Sequence, residues 1–270
     1  MPSVADRPPA PLRLEAALAT HAGRVRAENE DCGFVAVETG IFAVADGMGG
    51  HEAGELASAA IVEALATIGR AVSAADLLAR LEDRMLKANA AVRELGRARG
   101  TLVGSTAAVL LVFGRDYACV WSGDSRIYRV RAGSIECLTR DHTEGRDLYD
   151  RGVLTADALR TYARRHVITR AVGVRDTPEM ELVQGLALPG DVFVVCSDGL
   201  TAHLDDPEIA GFAGAPPQAA CEALVALALE RGGSDNVTVV VVRCEAARAE
   251  ATTVLAPVPA ARPADGGGLS

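Results

Sequence analysis

Cys32-Gly33-Phe34-Val35-Ala36-Val37-Glu38-Thr39-Gly40-Ile41-Phe42-Ala43-Val44-Ala45-Asp46-Gly47 reads as two strands, 32–37 and 41–45, joined by a turn at Glu38-Thr39-Gly40. The second strand is wholly apolar and runs into an aspartate beside glycine. The same event recurs along the chain. Ala118-Cys119-Val120-Trp121 leads into Ser122-Gly123-Asp124-Ser125-Arg126, and Val192-Phe193-Val194-Val195-Cys196 leads into Ser197-Asp198-Gly199. Gly232-Gly233-Ser234-Asp235-Asn236 stands just before the valine-rich run 237–244. Taken singly, Asp-Gly is a turn signal. Four together, drawn from distant stretches to the ends of apolar strands, are how a chain builds an all-oxygen cage for hard divalent cations. An unpaired carboxylate at the end of a buried strand is costly unless a cation or donor compensates it.

Outward from this hairpin, residues 53–70 read as a helix whose polar stripe is Glu55, Ser58, Glu63 and Thr67; so apolar a cylinder should be largely buried. Leu78, Leu81, Met85, Ala88, Val92 and Leu95 recur at spacings of three and four, marking one face of a second helix over 74–95. Strands are expected at 107–113, 117–121, 127–131 and 134–138, the last two a hairpin around Ala132-Gly133. Residues 146–171 are polar and helix-prone, as in a surface subdomain, and 192–196, a helix over 217–231 and 237–244 complete the core. Strands in antiparallel sets with helices grouped apart predict a layered α+β sandwich, not a parallel βαβ sheet. Residues 1–12 and 246–270 are expected to be flexible tails around one domain, 13–245, because their Pro, Ala and Gly bury little.

Composition excludes several function classes. The chain has 270 residues, 49% of them apolar, so one sizeable core is available. A net charge of −9 argues against a nucleic-acid partner. No apolar stretch approaches the roughly 20 residues needed to span a bilayer, and residues 1–12 lack the apolar core of a signal peptide; no membrane partner and a cytoplasmic location are expected. Lys87 is the only lysine, which rules out a Walker A loop. The glycine-rich 47–51 fails the dinucleotide spacing, since position 52 is Glu. Cys32, Cys119, Cys137, Cys196, Cys221 and Cys244 show no paired short spacing, and His21, His51, His142, His166 and His203 none that suits zinc. A cysteine phosphatase would need arginine six positions after its nucleophile, and the nearest approach, Cys119 with Arg126, is one residue too far. Upstream of the hairpin, Arg24-Val25-Arg26-Ala27-Glu28-Asn29-Glu30-Asp31 reads alone as a solvated charged loop; beside a metal cage, an arginine's planar fork suits two phosphate oxygens.

Arg26-x-x-Asn29-Glu30-Asp31, Asp46-Gly47-Met48-Gly49-Gly50-His51-x-x-Gly54-Glu55-x-Ala57-Ser58, Gly104-Ser105-Thr106-Ala107, Gly123-Asp124-Ser125-Arg126, Leu138-Thr139-Arg140-Asp141-His142-Thr143, Ile168-Thr169-Arg170-Ala171-Val172-Gly173, Ser197-Asp198-Gly199-Leu200 and Ser234-Asp235-Asn236-Val237-Thr238 follow one another in order. Together they resemble the ordered motifs of the PPM family of metal-dependent Ser/Thr protein phosphatases (type 2C), in its compact bacterial form, over residues 20–244. The resemblance implies a four-layer α-β-β-α sandwich with the metals at one end. It implies that Asp46 bridges two Mn²⁺ or Mg²⁺ ions, that the Gly47 carbonyl binds one and that Asp198 and Asp235 bind the other. It further implies that Glu30 and Asp31 orient metal waters, that Asp124 reaches the third ion found in bacterial members, and that Arg26 holds the substrate phosphate. Residues 146–166 would be the flap beside the site. Eukaryotic members carry His directly after the first Asp-Gly; here Met48 stands there, and His51 becomes the candidate general acid.

The implied reaction is hydrolysis of phosphoserine and phosphothreonine in proteins by a dimetal-activated water, from a monomer that opposes a bacterial Ser/Thr kinase and acts on that kinase and its substrates. Two alternatives are a phosphatase of anti-sigma-factor antagonists, which usually carries a sensor domain, and a pseudophosphatase that binds phosphoproteins without turnover. The latter normally lacks a metal aspartate, and all four are present. Arg146, Arg151, Arg160, Arg164 and Arg165 make the flap segment locally basic, as a recognition edge or as a solvated face.

Overall fold

The computed structural model describes residues 12–50 and 52–247. In chain order the elements are β1 (Leu12–His21), β2 (Asp31–Ala36), β3 (Ile41–Met48), α1 (Glu52–Ala66), α2 (Ala74–Arg99), β4 (Gly104–Ser105), β5 (Ala107–Phe113), β6 (Asp116–Ser122), β7 (Arg126–Arg131), β8 (Ser134–Cys137), α3 (Glu144–Asp150), α4 (Ala156–Thr161), β9 (Glu181–Leu186), β10 (Val192–Cys196), α5 (Asp198–Thr201), α6 (Asp206–Gly211), α7 (Pro217–Glu230) and β11 (Val237–Ala246). One sheet has the order β1-β11-β10-β7-β8; the other has β2-β3-β5-β6-β9, with β4 paired to β3. Every pairing is antiparallel.

The central strands are apolar throughout because both of their faces are covered, and successive side chains alternate between them. On β3, Ile41, Ala43 and Ala45 face α1 and α2, where they meet Ile61, Leu65, Leu81 and Met85. Phe42 and Val44 face the other way and pack, with Leu110 and Cys119, against Phe193, Val195, Val240 and Val242 of the opposite sheet. The far side of that sheet, through Val192, Val194, Val239 and Val241, is covered by Ala220, Cys221, Leu224 and Ala228 of α7 together with Leu200 and Ile209. The result is the expected α-β-β-α order. The second outer layer is one long helix, α7, supplemented by the short α5 and α6, in place of two equal partners.

Local signals set the boundaries. Ser73 accepts the Asp76 N–H at the start of α2, and Gly100 ends it in the left-handed conformation at φ 64°, carrying the helix four residues past the expected 95. The hairpin at Ala132-Gly133 has φ of 49° and 80°, the paired positive values of a tight two-residue turn. Helix α1 stops at Ala66, short of the expected 70. The sequence pattern does not disclose β1 or β9, and both are sheet-edge strands with partly exposed faces. Strand β1 already includes Leu12, and β11 runs to Ala246, so the domain reaches one residue into each expected tail; the remaining tail residues except Ala247 lie outside the described residues. Four cysteines, Cys119, Cys196, Cys221 and Cys244, are buried in the apolar layers, whereas Cys137 is exposed. Among the described residues no helix is long and apolar enough to cross a membrane.

Candidate active site

Antiparallel register gathers the acidic motifs at one end of the sandwich. Asp31 opens β2 directly opposite Asp46 near the end of β3. Cys196, at the end of β10, pairs with Arg126 at the start of β7 and with Val239 near the start of β11, so Asp198, the Gly123-Asp124 turn and Asp235 share that end. Two close approaches require glycine. A Cβ on Gly47 would stand 1.9 Å from the Gly54 carbonyl oxygen, and one on Gly199 would stand 1.9 Å from that of Asn236.

The carboxylates are crowded and under-partnered. Asp31 and Asp124 are each only 5% exposed, and Asp46 and Asp198 are half-buried. Burial, reinforced by neighbouring carboxylates, raises all four above the ordinary range: Asp31 to about 7 and Asp198 to about 6. For Asp46, burial comes first and the charges of Asp31, Asp198, Asp124 and Asp235 follow; for Asp124, burial is followed by Asp198. Three buried oxygens, Glu30 Oε1, Asp31 Oδ1 and Asp124 Oδ1, have no hydrogen-bond donor. Arg26 donates to Asp235 Oδ2 at 2.7 Å, and this bond and its charge raise the arginine's pKa. An acid-only oxygen set with orphaned lone pairs is the chemistry that Mg²⁺ and Mn²⁺ select. Among the described residues no three acidic, His or Cys side chains stand close enough together to form a ready-made ligand set.

Residues of the same motifs, none of them singled out for a role by the sequence reading, hold this arrangement. Asn236 donates through Nδ2 to the carbonyls of Ala22 and Glu28, both at 2.9 Å, and accepts the Glu30 N–H at 2.8 Å, so one amide anchors the Arg26 loop. Thr106 Oγ1 accepts the Asp46 N–H at 3.0 Å, and Ser197 Oγ donates to Asp31 Oδ2 at 2.7 Å. Arg126 clamps Asp141 through two bonds, 2.8 and 2.6 Å, and donates to the Tyr128 hydroxyl at 2.9 Å. Of the expected site residues, Arg26, Glu30, Asp31, Asp46, Gly47, Asp124, Asp198 and Asp235 are brought together; His51 lies outside the described residues.

Asp124, Asp141, Asp198 and Asp235 share a cleft of about 710 Å³ with Arg146, Arg160, Arg165 and His166 of the basic segment 146–166. Its basic edge is smaller than the sequence suggests, because most of these arginines are neutralised within the flap. Arg146 pairs with Asp150, Arg160 with Asp157, and Arg164 with Glu144 at 2.7 Å. Arg165 donates only to the Tyr162 carbonyl and has no carboxylate partner among the described residues.

The raised carboxyl pKa values carry a sign. These groups bind protons more tightly in the folded chain than in the unfolded one, where they titrate near 4, so folding in chelator is penalised at high pH. That penalty is relieved as pH falls through about 7 and 6. His142, lowered chiefly by burial, opposes the trend on the acid side. Urea midpoints measured in chelator should rise from pH about 8 to pH about 5, and excess Mn²⁺ should flatten that slope. A chelated protein that loses stability steadily over this range would contradict the crowding.

The Protein phosphatase 2C family profile matches residues 21–147. The chain is 36% identical over 233 residues to the serine/threonine protein phosphatase PstP of Mycobacterium tuberculosis, covering 85% of this chain but only 45% of that relative's length. Among solved structures it superposes on PppA, described as a key regulatory component of T6SS in Pseudomonas aeruginosa, with TM-score 0.81 and 39% identity over 87% of this chain and 99% of that one. The catalytic domain of PstP, solved in complex with 2 manganese ions, superposes with TM-score 0.78 and 34% identity over 87% of this chain and 99% of that one. Motif order, sheet topology and these likenesses agree: the chain belongs to the protein phosphatase 2C family.

Proposed function

We propose that the chain is a Mn²⁺- or Mg²⁺-dependent phosphatase acting on phosphoserine and phosphothreonine in proteins. The observation that carries this reading is the gathering of six carboxylates, Glu30, Asp31, Asp46, Asp124, Asp198 and Asp235, at one end of the sandwich beside Arg26, with Glu30 Oε1, Asp31 Oδ1 and Asp124 Oδ1 buried and without a donor. The manganese complex of PstP and that relative's being a serine/threonine protein phosphatase support it. Asp46, the Gly47 carbonyl, Asp198 and Asp235 would hold two ions, Glu30 and Asp31 would orient their waters, and Asp124 would reach a third. Bound there, the cations supply a water acidified at neutral pH and offset charge on the phosphoryl oxygens.

The chain's own groups supply the rest. Arg26 is 55% exposed at its side chain and uses one nitrogen on Asp235, which leaves the outer edge of its fork to receive two phosphate oxygens. Its bond to Asp235 sets where the phosphate rests relative to the cage. His51 remains the proposed proton donor to the leaving oxygen. Residues 13–245 form the proposed phosphatase domain, with 146–166 as a flap that selects among substrates, and a bacterial Ser/Thr kinase and its targets are the proposed cytoplasmic partners.

Hydrolysis of p-nitrophenyl phosphate should require Mn²⁺ or Mg²⁺ and stop in excess chelator; full activity in chelator would sink the reading. Asp46→Asn should lower kcat by more than about 100-fold, since several kcal/mol of charge stabilisation are at stake. Arg26→Ala should act mainly on KM, by about 10- to 100-fold, the worth of a charge-assisted hydrogen bond. On the flap, Arg165→Glu should lower kcat/KM for a phosphoprotein and leave p-nitrophenyl phosphate turnover intact, while Arg164→Glu, already balanced by Glu144, should do less. Equal losses on both substrates would place the effect of Arg165 on the metal site.

A further inference from the structure

His142, from the Leu138–Thr143 motif, has no part in the chemistry above, yet it is only 1% exposed and its polar groups link two separate structures. Its N–H donates to the Gly123 carbonyl at 2.9 Å, and its ring Nδ1 accepts the Gly123 N–H at 3.1 Å. Its own carbonyl accepts the Thr169 N–H at 2.8 Å, and the next residue, Thr143, bridges to Ile168 and caps α3. The ring stacks on Trp121 with centroids 5.9 Å apart at 15°, while Trp121 Nε1 donates to the Arg140 carbonyl at 2.8 Å.

The tautomer follows from these contacts. A nitrogen that accepts carries no proton, so Nε2 carries it and points to Glu181 Oε1 at 3.3 Å. Arg170, 3.3 Å from that same nitrogen, donates to Glu181 at 2.7 Å instead. Gly123 has φ 107° and a Cβ there would meet Thr106 Cγ2 at 2.6 Å, so the turn has one available shape. Asp124 follows it directly, its Oδ1 buried and without a donor.

We propose that His142 is a positioning residue: by gripping both polar groups of Gly123 and the base of the flap, it sets the Asp124 carboxylate and the flap in one register. This rests on the reading of Asp124 as a cation ligand. It follows that disturbance of the flap root reaches the Asp124 ion before it reaches the two held by Asp46, Asp198 and Asp235.

Two substitutions separate the ring's two edges. In His142→Asn the amide oxygen falls where Nδ1 stands and can still accept from Gly123; in His142→Gln the amide reaches toward Glu181 and offers Gly123 nothing. Calorimetric titration with Mn²⁺ should show Asp124→Asn deleting the weakest binding step. His142→Gln should weaken that same step roughly 10- to 100-fold while His142→Asn keeps it within about threefold, the range for groups that orient a metal ligand. Wild-type titration by the glutamine variant, or equal loss in both variants, would overturn the proposal. An unchanged Asp124→Asn titration would instead remove the assignment of Asp124 on which it rests. Should the glutamine variant fail to fold, hydrogen exchange decides: a Gly123 amide protected like its sheet neighbours supports the grip, and one that exchanges freely refutes it.

Discussion

Asp31 and Asp46 stand directly across from one another on paired strands, with Asp124, Asp198 and Asp235 at the same end of the sandwich. Facing like charges destabilise a strand pair, and burying them makes the cost greater. The arrangement persists because the remaining structure over-determines it. Three apolar layers fix the strand ends, and the glycines at 47 and 199 let main chains pass where any side chain would collide. The penalty is local, and the proposed divalent ions are what would relieve it.

The same constraint explains the division of labour among polar residues. Neutral groups, Thr106, Ser197 and Asn236, hold backbone and carboxylate positions without adding charge. At the acidic end Arg26 is matched by Asp235 and Arg126 by Asp141. On the proposed function, a surplus cation inside the acidic cluster would compete with the metal, whereas one at the rim could meet a phosphate. Arg165, which lines the same cleft without a carboxylate partner among the described residues, is on the proposed function the residue left to meet substrates longer than a phosphate group.

Much of this was legible in the sequence, for physical reasons. Strands buried on both faces read as unbroken apolar runs, and turn chemistry betrays hairpins, so β3, β6, β10 and β11 and the aspartates at their ends stand out. Edge strands β1 and β9 are half-exposed, mix polar with apolar residues and give no such signal. Asp31 sits in a charged run that looks solvated, and only its register opposite Asp46 reveals that it is buried. The clamp between Arg126 and Asp141, and the three bonds of the Asn236 amide, join residues far apart in the chain and leave no periodicity to detect. The ion pairs that quench most of the flap's arginines are likewise invisible to a count of basic residues.

The central claim is that one end of the sandwich is built around divalent cations. A crystal structure grown with Mn²⁺, with anomalous difference maps collected on either side of the manganese absorption edge, tests it most directly. The account predicts two strong peaks within about 2.0–2.6 Å of ligand oxygens, one touching Asp46 and the Gly47 carbonyl and the other touching Asp46, Asp198 and Asp235. Manganese confined to surface carboxylates, with no peak among these residues, would contradict it.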